Sequence, residues 1–280
     1  DGCSRPIRLK APEATVVNCK FPVAVAARMQ IGHFLTEIVY LALAPALPDR
    51  VIAGSGGTPA TMNVFYGKRA DGKPWHSVII RGGGMGASSS RDGDYVYIFP
   101  ANGANTPVEI FESDTPLLVE RRELLPESGA AARNKGGLGR REVLRVPDDE
   151  YAPQPPVNLG IQSGRFRHPP EALAEGRPGA LAQFLVNGKS GNPYGLTQLG
   201  PGDVVVMDAA GGGGYGDPLT RDPEAVAADV VDGVVSPDSA REDYGVVLDP
   251  ATFRVDAAKT AELRRARLSL AGHASTMPPR

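Results

Sequence analysis

DVVVMDAAGGGGYGDP, residues 203–218, runs from an apolar, strand-like stretch into four consecutive glycines. Gly211, Gly213 and Gly216 satisfy G-x-G-x-x-G, the spacing that in a dinucleotide fold sets a pyrophosphate on a helix N-terminus. The residues that follow oppose that reading. Asp217-Pro218 and Asp222-Pro223 postpone any helix by about two turns, and no second strand with an acidic residue about 20 positions on is evident. Gly211, Gly212, Gly213 and Gly214 are read instead as a structural glycine loop, a turn between a buried strand and a capped helix where backbone passes close to another segment.

Working outward, the chain is strand-rich. Short apolar or alternating runs, "NVFYG" (63–67), "WHSVIIRGG" (75–83) and "DYVYIF" (94–99), are separated by Gly, Ser, Asn and Pro clusters. "VEIFE" (108–112), "PLLVERRELL" (116–125) and "GRREVLRV" (139–146) read as further strands, with 126–137 as a long turn. Residues 7–17 look extended, and 147–171, with six prolines, suit a surface crossing. Asn187-Gly188 signals a hairpin. Residues 25–47 carry apolar positions at helical intervals and predict one long, mostly buried helix. After the glycines, Asp222-Pro223 and Ser236-Pro237 each start a helix, stopped by Gly233 and Gly245, and 256–270 gives a third. The expected fold is α+β: a β-rich, antiparallel mixed core over 1–220 with one long N-terminal helix, and a helical C-terminal segment over 221–280.

Composition narrows the function. The formal net charge of −2 advertises no nucleic-acid surface. The longest apolar run, Ile38 to Leu47, is broken by Pro45 and falls short of the roughly 18 residues of a membrane span. Two cysteines, Cys3 and Cys19, are too few for a disulfide scaffold, and with no signal-peptide pattern a cytoplasmic location is expected. Four scattered histidines, His33, His76, His168 and His273, predict no metal site in this chain. "NGKS" (187–190) fails as a phosphate loop because Gln183 stands where its first glycine belongs. No nucleophile stands in a recognisable setting.

Two stretches invite ligands. "GASSSRDGD" (86–94) offers hydroxyls, backbone amides and Arg91 to an anion, or is an exposed loop. In "ANGANTPVEIFE" (101–112), Asn102 and Asn105 suit an amide-bearing ligand, with Glu109 and Glu112 on opposite faces of the expected strand.

The order of "GCSRPIRLKAPEATVVN", "GSGGT", "RGGGMGASSSRDGD", "NTPVEIFE", "LLPESGAAARNKGGLGRREV", the glycine segment and "SPDSAREDYGVVL" resembles the C-terminal half of hydantoinase B-type subunits, over about residues 1–250. That family includes subunits or domains of ATP-dependent N-methylhydantoinases and 5-oxoprolinases, with acetone and acetophenone carboxylase subunits as relatives. The resemblance implies a hetero-oligomer in which an A-type partner uses ATP to phosphorylate the carbonyl oxygen of a small cyclic amide, and the B-type subunit completes ring opening. ATP, and a divalent metal, would then belong to the full complex, with no cofactor in this chain. Family members are about twice as long, and the metal-ligand motif of the carboxylase relatives lies in an N-terminal half without counterpart here. Starting at Asp1, the chain is therefore expected to be a fragment or one product of a split gene, with the missing half as a partner. No catalytic residue carries over; Gly82, Gly83, Gly84, Arg91, Asp92, Asn105 and Glu109 are the substrate-site candidates. The alternatives are a biotin-independent ketone carboxylase subunit, a non-catalytic assembly subunit and, from the glycine run alone, a nucleotide-binding oxidoreductase.

Overall fold

A computed structural model of the chain describes residues 8–25, 28–59, 61–101 and 103–274. Among them are two antiparallel sheets and five α-helices, a mixed α+β fold. One sheet has the order β2-β1-β5-β8, built from β1 (Thr61–Lys68), β2 (Pro74–Arg81), β5 (Gln154–Gln162) and β8 (Leu196–Leu199). The other, β3-β4-β9-β6-β7, contains β3 (Leu118–Leu124), β4 (Arg140–Arg145), β6 (Gln183–Val186), β7 (Lys189–Ser190) and β9 (Val204–Asp208). Inward side chains of both sheets, Phe65, Ile79, Leu159, Leu144, Phe184 and Val205, form one buried cluster. Period-two alternation puts Phe65 inside and Tyr66 outside. Asn187 and Gly188 both have positive φ, the geometry a two-residue hairpin between β6 and β7 requires.

A second apolar cluster sits among α3 (Pro223–Val231), α4 (Pro237–Glu242) and the turn after it, around Val226, Val230 and Tyr244. The caps are those the sequence announces. The Asp222 side chain accepts from the Glu224 amide and Ser236 from the Ser239 amide, while Gly233 and Gly245 take positive φ. Helix α5 (Ala257–Ala274) completes the segment.

Four expectations need correction. "VEIFE" is a helix, α2 (Val108–Asp114), begun by Pro107. A strand would have put Glu109 and Ser113 on the face of Phe111; the helix buries Phe111 alone, and Glu112 accepts from the Val119 amide at 2.7 Å. "DYVYIF" makes no ladder, because Val96 donates to Leu138 and Tyr97 to Gly83, two different neighbours. The proline-rich 147–171 contains β5, paired on both edges with β1 and β8. Finally, α1 (Met29–Leu43) is shorter than expected and mostly unburied. Glu37 is its one buried residue, whereas Ile31, Leu35, Ile38 and Val39 are exposed. The apolar pattern was wide enough for two faces, and the described fold covers only one. Cys3 and Asn102 lie outside the described residues; Cys19 is exposed.

Candidate functional site

β2, β4 and β9 each lead into or out of glycine-rich chain at one end of the molecule: Arg81 precedes Gly82, Gly139 precedes Arg140, and Asp208 is followed by Ala209 to Gly214. There, extended segments around residues 52–58, 82–98, 128–139, 170–180 and 209–216 pack backbone against backbone. Successive peptides of the central segment bond to different neighbours. Ala210 accepts from Gly84, Gly212 donates to Gly137 and accepts from Ala130, Gly213 donates to Gly54, and Gly214 donates to Arg177. Glycine is needed here for proximity. A Cβ on Gly83, Gly84, Gly211, Gly212, Gly213 or Gly214 would meet another segment's atoms closer than 3.0 Å, and one on Gly82 would meet the Val96 and Tyr97 backbone as closely. None of these seven has positive φ; the left-handed turn comes later, at Gly216 (φ +83). In the run itself, the amides of Gly212, Gly213 and Gly214 are already engaged by other protein segments.

The remaining candidates fall into two separate places. Asp92 accepts both guanidinium nitrogens of Arg221, at 2.8 and 2.7 Å, and the Lys135 amide at 2.7 Å. Arg221 also meets Asp229, as does the buried Lys135. Burial alone would lower the Arg221 pKa, but Asp92 and Asp229 together raise it. Asp92 thus ties the glycine-rich core to the C-terminal helices. Its neighbour Arg91 is exposed and pairs with Asp94 at 3.3 Å. Asn105, exposed, accepts from Arg140 at 2.9 Å, and Glu109 is exposed in the first turn of α2.

Asn105 leads inward to a buried charge cluster that the sequence reading did not single out. Glu142, fully buried, pairs with Arg81 and with Arg122 (2.6 Å). Burial would raise the Glu142 pKa, but Arg81, Arg140 and Arg122 hold it below the usual carboxylate range. Desolvation pulls Arg81 down to about 10. The only signal in the sequence was Arg and Glu at 140–142 inside an expected strand, where inward positions should be apolar.

A second missed cluster joins α1 to the glycine-rich end. Glu37 pairs with the buried Arg165 and accepts from the Ser55 amide at 3.2 Å. Arg165, held at φ +68, also donates to the Thr58 carbonyl at 2.8 Å and lies over the Phe34 ring. Glu171 lies 3.5 Å from Arg165 and within hydrogen-bond reach of Glu37. Burial pushes the Glu37 carboxyl up, against the pull of Arg165. Half of the Glu171 side chain is exposed, so the pair connects a buried acid to the surface. One turn earlier on α1, burial lowers the His33 pKa. Among the described residues no group of three or more His, Cys, Asp or Glu side chains is placed to hold a metal ion, and none of the helices is long and apolar enough to cross a membrane.

Residues 1–218 match the family described as Hydantoinase B/oxoprolinase. The caprolactamase subunit beta of Pseudomonas jessenii is 31% identical, aligned over 85% of this chain and 42% of its own length. The acetophenone carboxylase delta subunit of Aromatoleum aromaticum is 29% identical over 65% of this chain and 31% of its own. The crystal structure of the ATP-dependent caprolactamase from Pseudomonas jessenii superposes with a TM-score of 0.75 at 29% identity, covering 91% of this chain and 46% of that one. This chain spans less than half the length of each of these relatives. It belongs to the hydantoinase B/oxoprolinase family.

Proposed function

We propose that this hydantoinase B/oxoprolinase family chain is part of the B-type component of an ATP-dependent cyclic-amide hydrolase, working with an A-type partner that holds ATP and with the half of the B-type component that the longer relatives carry. A cyclic amide is a weak electrophile. Phosphorylating its carbonyl oxygen makes the carbon open to water; as water adds, the ring C–N bond breaks and the nitrogen leaves with a proton. A second water then cleaves the acyl phosphate to carboxylate and phosphate. This chain's part in that sequence is the proton for the leaving nitrogen. The observation that carries the assignment is the Glu37–Glu171 pair, a buried carboxyl pushed up by desolvation beside a half-exposed carboxylate. Asn105, with its oxygen held by Arg140 and its amide nitrogen without a partner among the described residues, is the best-placed of the polar candidates to meet a substrate amide. Glu109, exposed in the first turn of α2, lies on the Asn105 side, Arg91 is exposed in the separate Asp92 region, and Asp92 and the glycines hold the scaffold.

The test is ATP-dependent ring opening of a lactam or hydantoin by the assembled complex. Glu171→Gln should lower turnover at least tenfold while assembly and unfolding midpoint hold; unchanged turnover would remove the pair from the chemistry. The 29% identity to a carboxylase subunit favours ketone carboxylation as the second reading, and incorporation of labelled bicarbonate into product separates the two. If substitutions at Glu171 and Asn105 change assembly alone, the chain is a non-catalytic assembly subunit.

A further inference from the structure

The two sheets and the glycine-rich end meet at a small cavity. Its walls come from strand ends of both sheets, among them Thr61, Arg81, Arg140, Ser163 and Asp208. We propose that this cavity is a binding site for one monatomic anion, a halide, held between Arg81 and Arg140.

Charge is the first argument. The buried Arg81 and Arg140, with the half-buried Arg122, face a single carboxylate, Glu142, while Asp208 on the cavity wall is matched by its bidentate partner Arg141 at 2.8 and 2.7 Å. Arg122 lies at the edge, donating to the Thr106 carbonyl and to Glu142. Arg81 and Arg140 are 2% and 5% exposed, so water does not screen the excess of positive charge. The second argument is an orphan donor. Arg81 uses Nε on Glu142 and Nη1 on the Asn63 amide oxygen, but its Nη2 is buried without an acceptor. Native proteins rarely leave such a group unsatisfied. Size is the third. The space open to the centre of a water-sized sphere is about 10 Å³, enough for one water or one monatomic ion and too small for a carboxylate or phosphate. A water would satisfy Nη2 but leave the charge excess; a halide answers both. The apolar part of the wall, Ile161, Phe166, Phe184 and Met207, suits a weakly hydrated anion. This site is independent of the enzymatic reading.

Crystals of the protein, in whatever assembly it forms, soaked in sodium bromide provide the test. Anomalous difference maps should show one bromide between Arg81 Nη2 and Arg140, and Arg140→Met should abolish it. In solution the unfolding midpoint should rise and saturate when chloride replaces gluconate at constant ionic strength. Both readouts use the unmodified protein, so the proposal stays testable if Arg140→Met fails to fold. Ordered arginines around light-atom density only, or equal midpoints in the two salts, would overturn it.

Discussion

The sheet core and the glycine-rich end fill space by opposite means. Between the sheets, Phe65, Leu144, Leu159 and Phe184 interdigitate as side chains, and backbone groups pair along ladders. At the glycine-rich end side chains are removed so that five backbone segments touch, and successive peptides pair with different neighbours. The first arrangement degrades gradually, since a smaller side chain leaves a cavity that can partly relax. The second has no such tolerance, because one methyl group must displace another segment's main chain. A position's sensitivity therefore depends on which means of packing surrounds it, and burial alone does not rank it.

The largest expected effect follows directly. Gly212→Ala places a Cβ on the Met85 carbonyl, with Gly86 close behind, and should cost more than about 5 kcal/mol, leaving little soluble protein. Gly160→Ala on β5, where nothing lies within 4 Å, should be neutral or stabilise by up to about 1 kcal/mol. Denaturant titration of the pair measures the contrast directly. Equal effects would mean that the glycines are not needed for close approach, and the comparison would fail.

Next comes the border between the two regions. Glu142→Gln leaves the buried Arg81 and Arg140 and the half-buried Arg122 without their shared carboxylate and should cost about 3–5 kcal/mol. The same residue sets a pH signature. Its folded pKa lies below its unfolded value, so its stabilisation is full above the ordinary carboxylate range and is lost only as pH falls through the depressed folded pKa. Acid titration of stability in the unmodified protein should show this late loss, and the Gln variant should lack it.

A smaller effect tests how the C-terminal helices are attached. Asp92→Asn removes the bidentate partner of Arg221 but leaves Asp229 in contact, and a loss of about 1–3 kcal/mol is expected. Proteolysis after substitution should begin in the helices and spare the sheets. Simultaneous cleavage of both would show that the two clusters unfold together.

The two regions were also unequally legible in the sequence. Local signals with a fixed mechanism carried through: Asp222-Pro223, Ser236-Pro237 and Asn187-Gly188 act within a few residues of themselves, and each formed the cap or turn expected. "VEIFE" misled because its alternation is also compatible with a short helix after Pro107 that buries only Phe111. The glycine run resisted because its meaning is collective. "GSGGT", "RGGGMG", "NKGGLG" and "AAGGGG" each look like loops alone, and only long-range contact turns them into one packed unit. The charge clusters were hidden for the same reason: Glu37 meets Arg165, and Arg81 meets Glu142, across separations that periodicity does not report. Of the polar candidates, Asp92 proved to be engaged with Arg221, while Asn105 led to the buried arginines.

The smallest expected effect concerns the face of α1 that neither kind of packing covers. Ile38 is 56% exposed and Val39 54%, on a helix whose other face is anchored by Glu37 to Arg165. If that anchor holds the helix, Ile38→Gln removes apolar surface that was already in water and should shift stability by no more than about 0.5 kcal/mol. Glu37→Gln in the same helix should cost more, because it disturbs the acceptor that the buried Arg165 and the Ser55 amide share. The pair of variants therefore separates a helix held by charge from one held by apolar contact. A large loss from Ile38→Gln, measured on the chain alone, would show that this face is buried in solution by contacts absent from the described fold. A negligible loss alone but a weakened assembly in the complex would make the stripe an interface, and α1 would then belong as much to the partner's core as to its own.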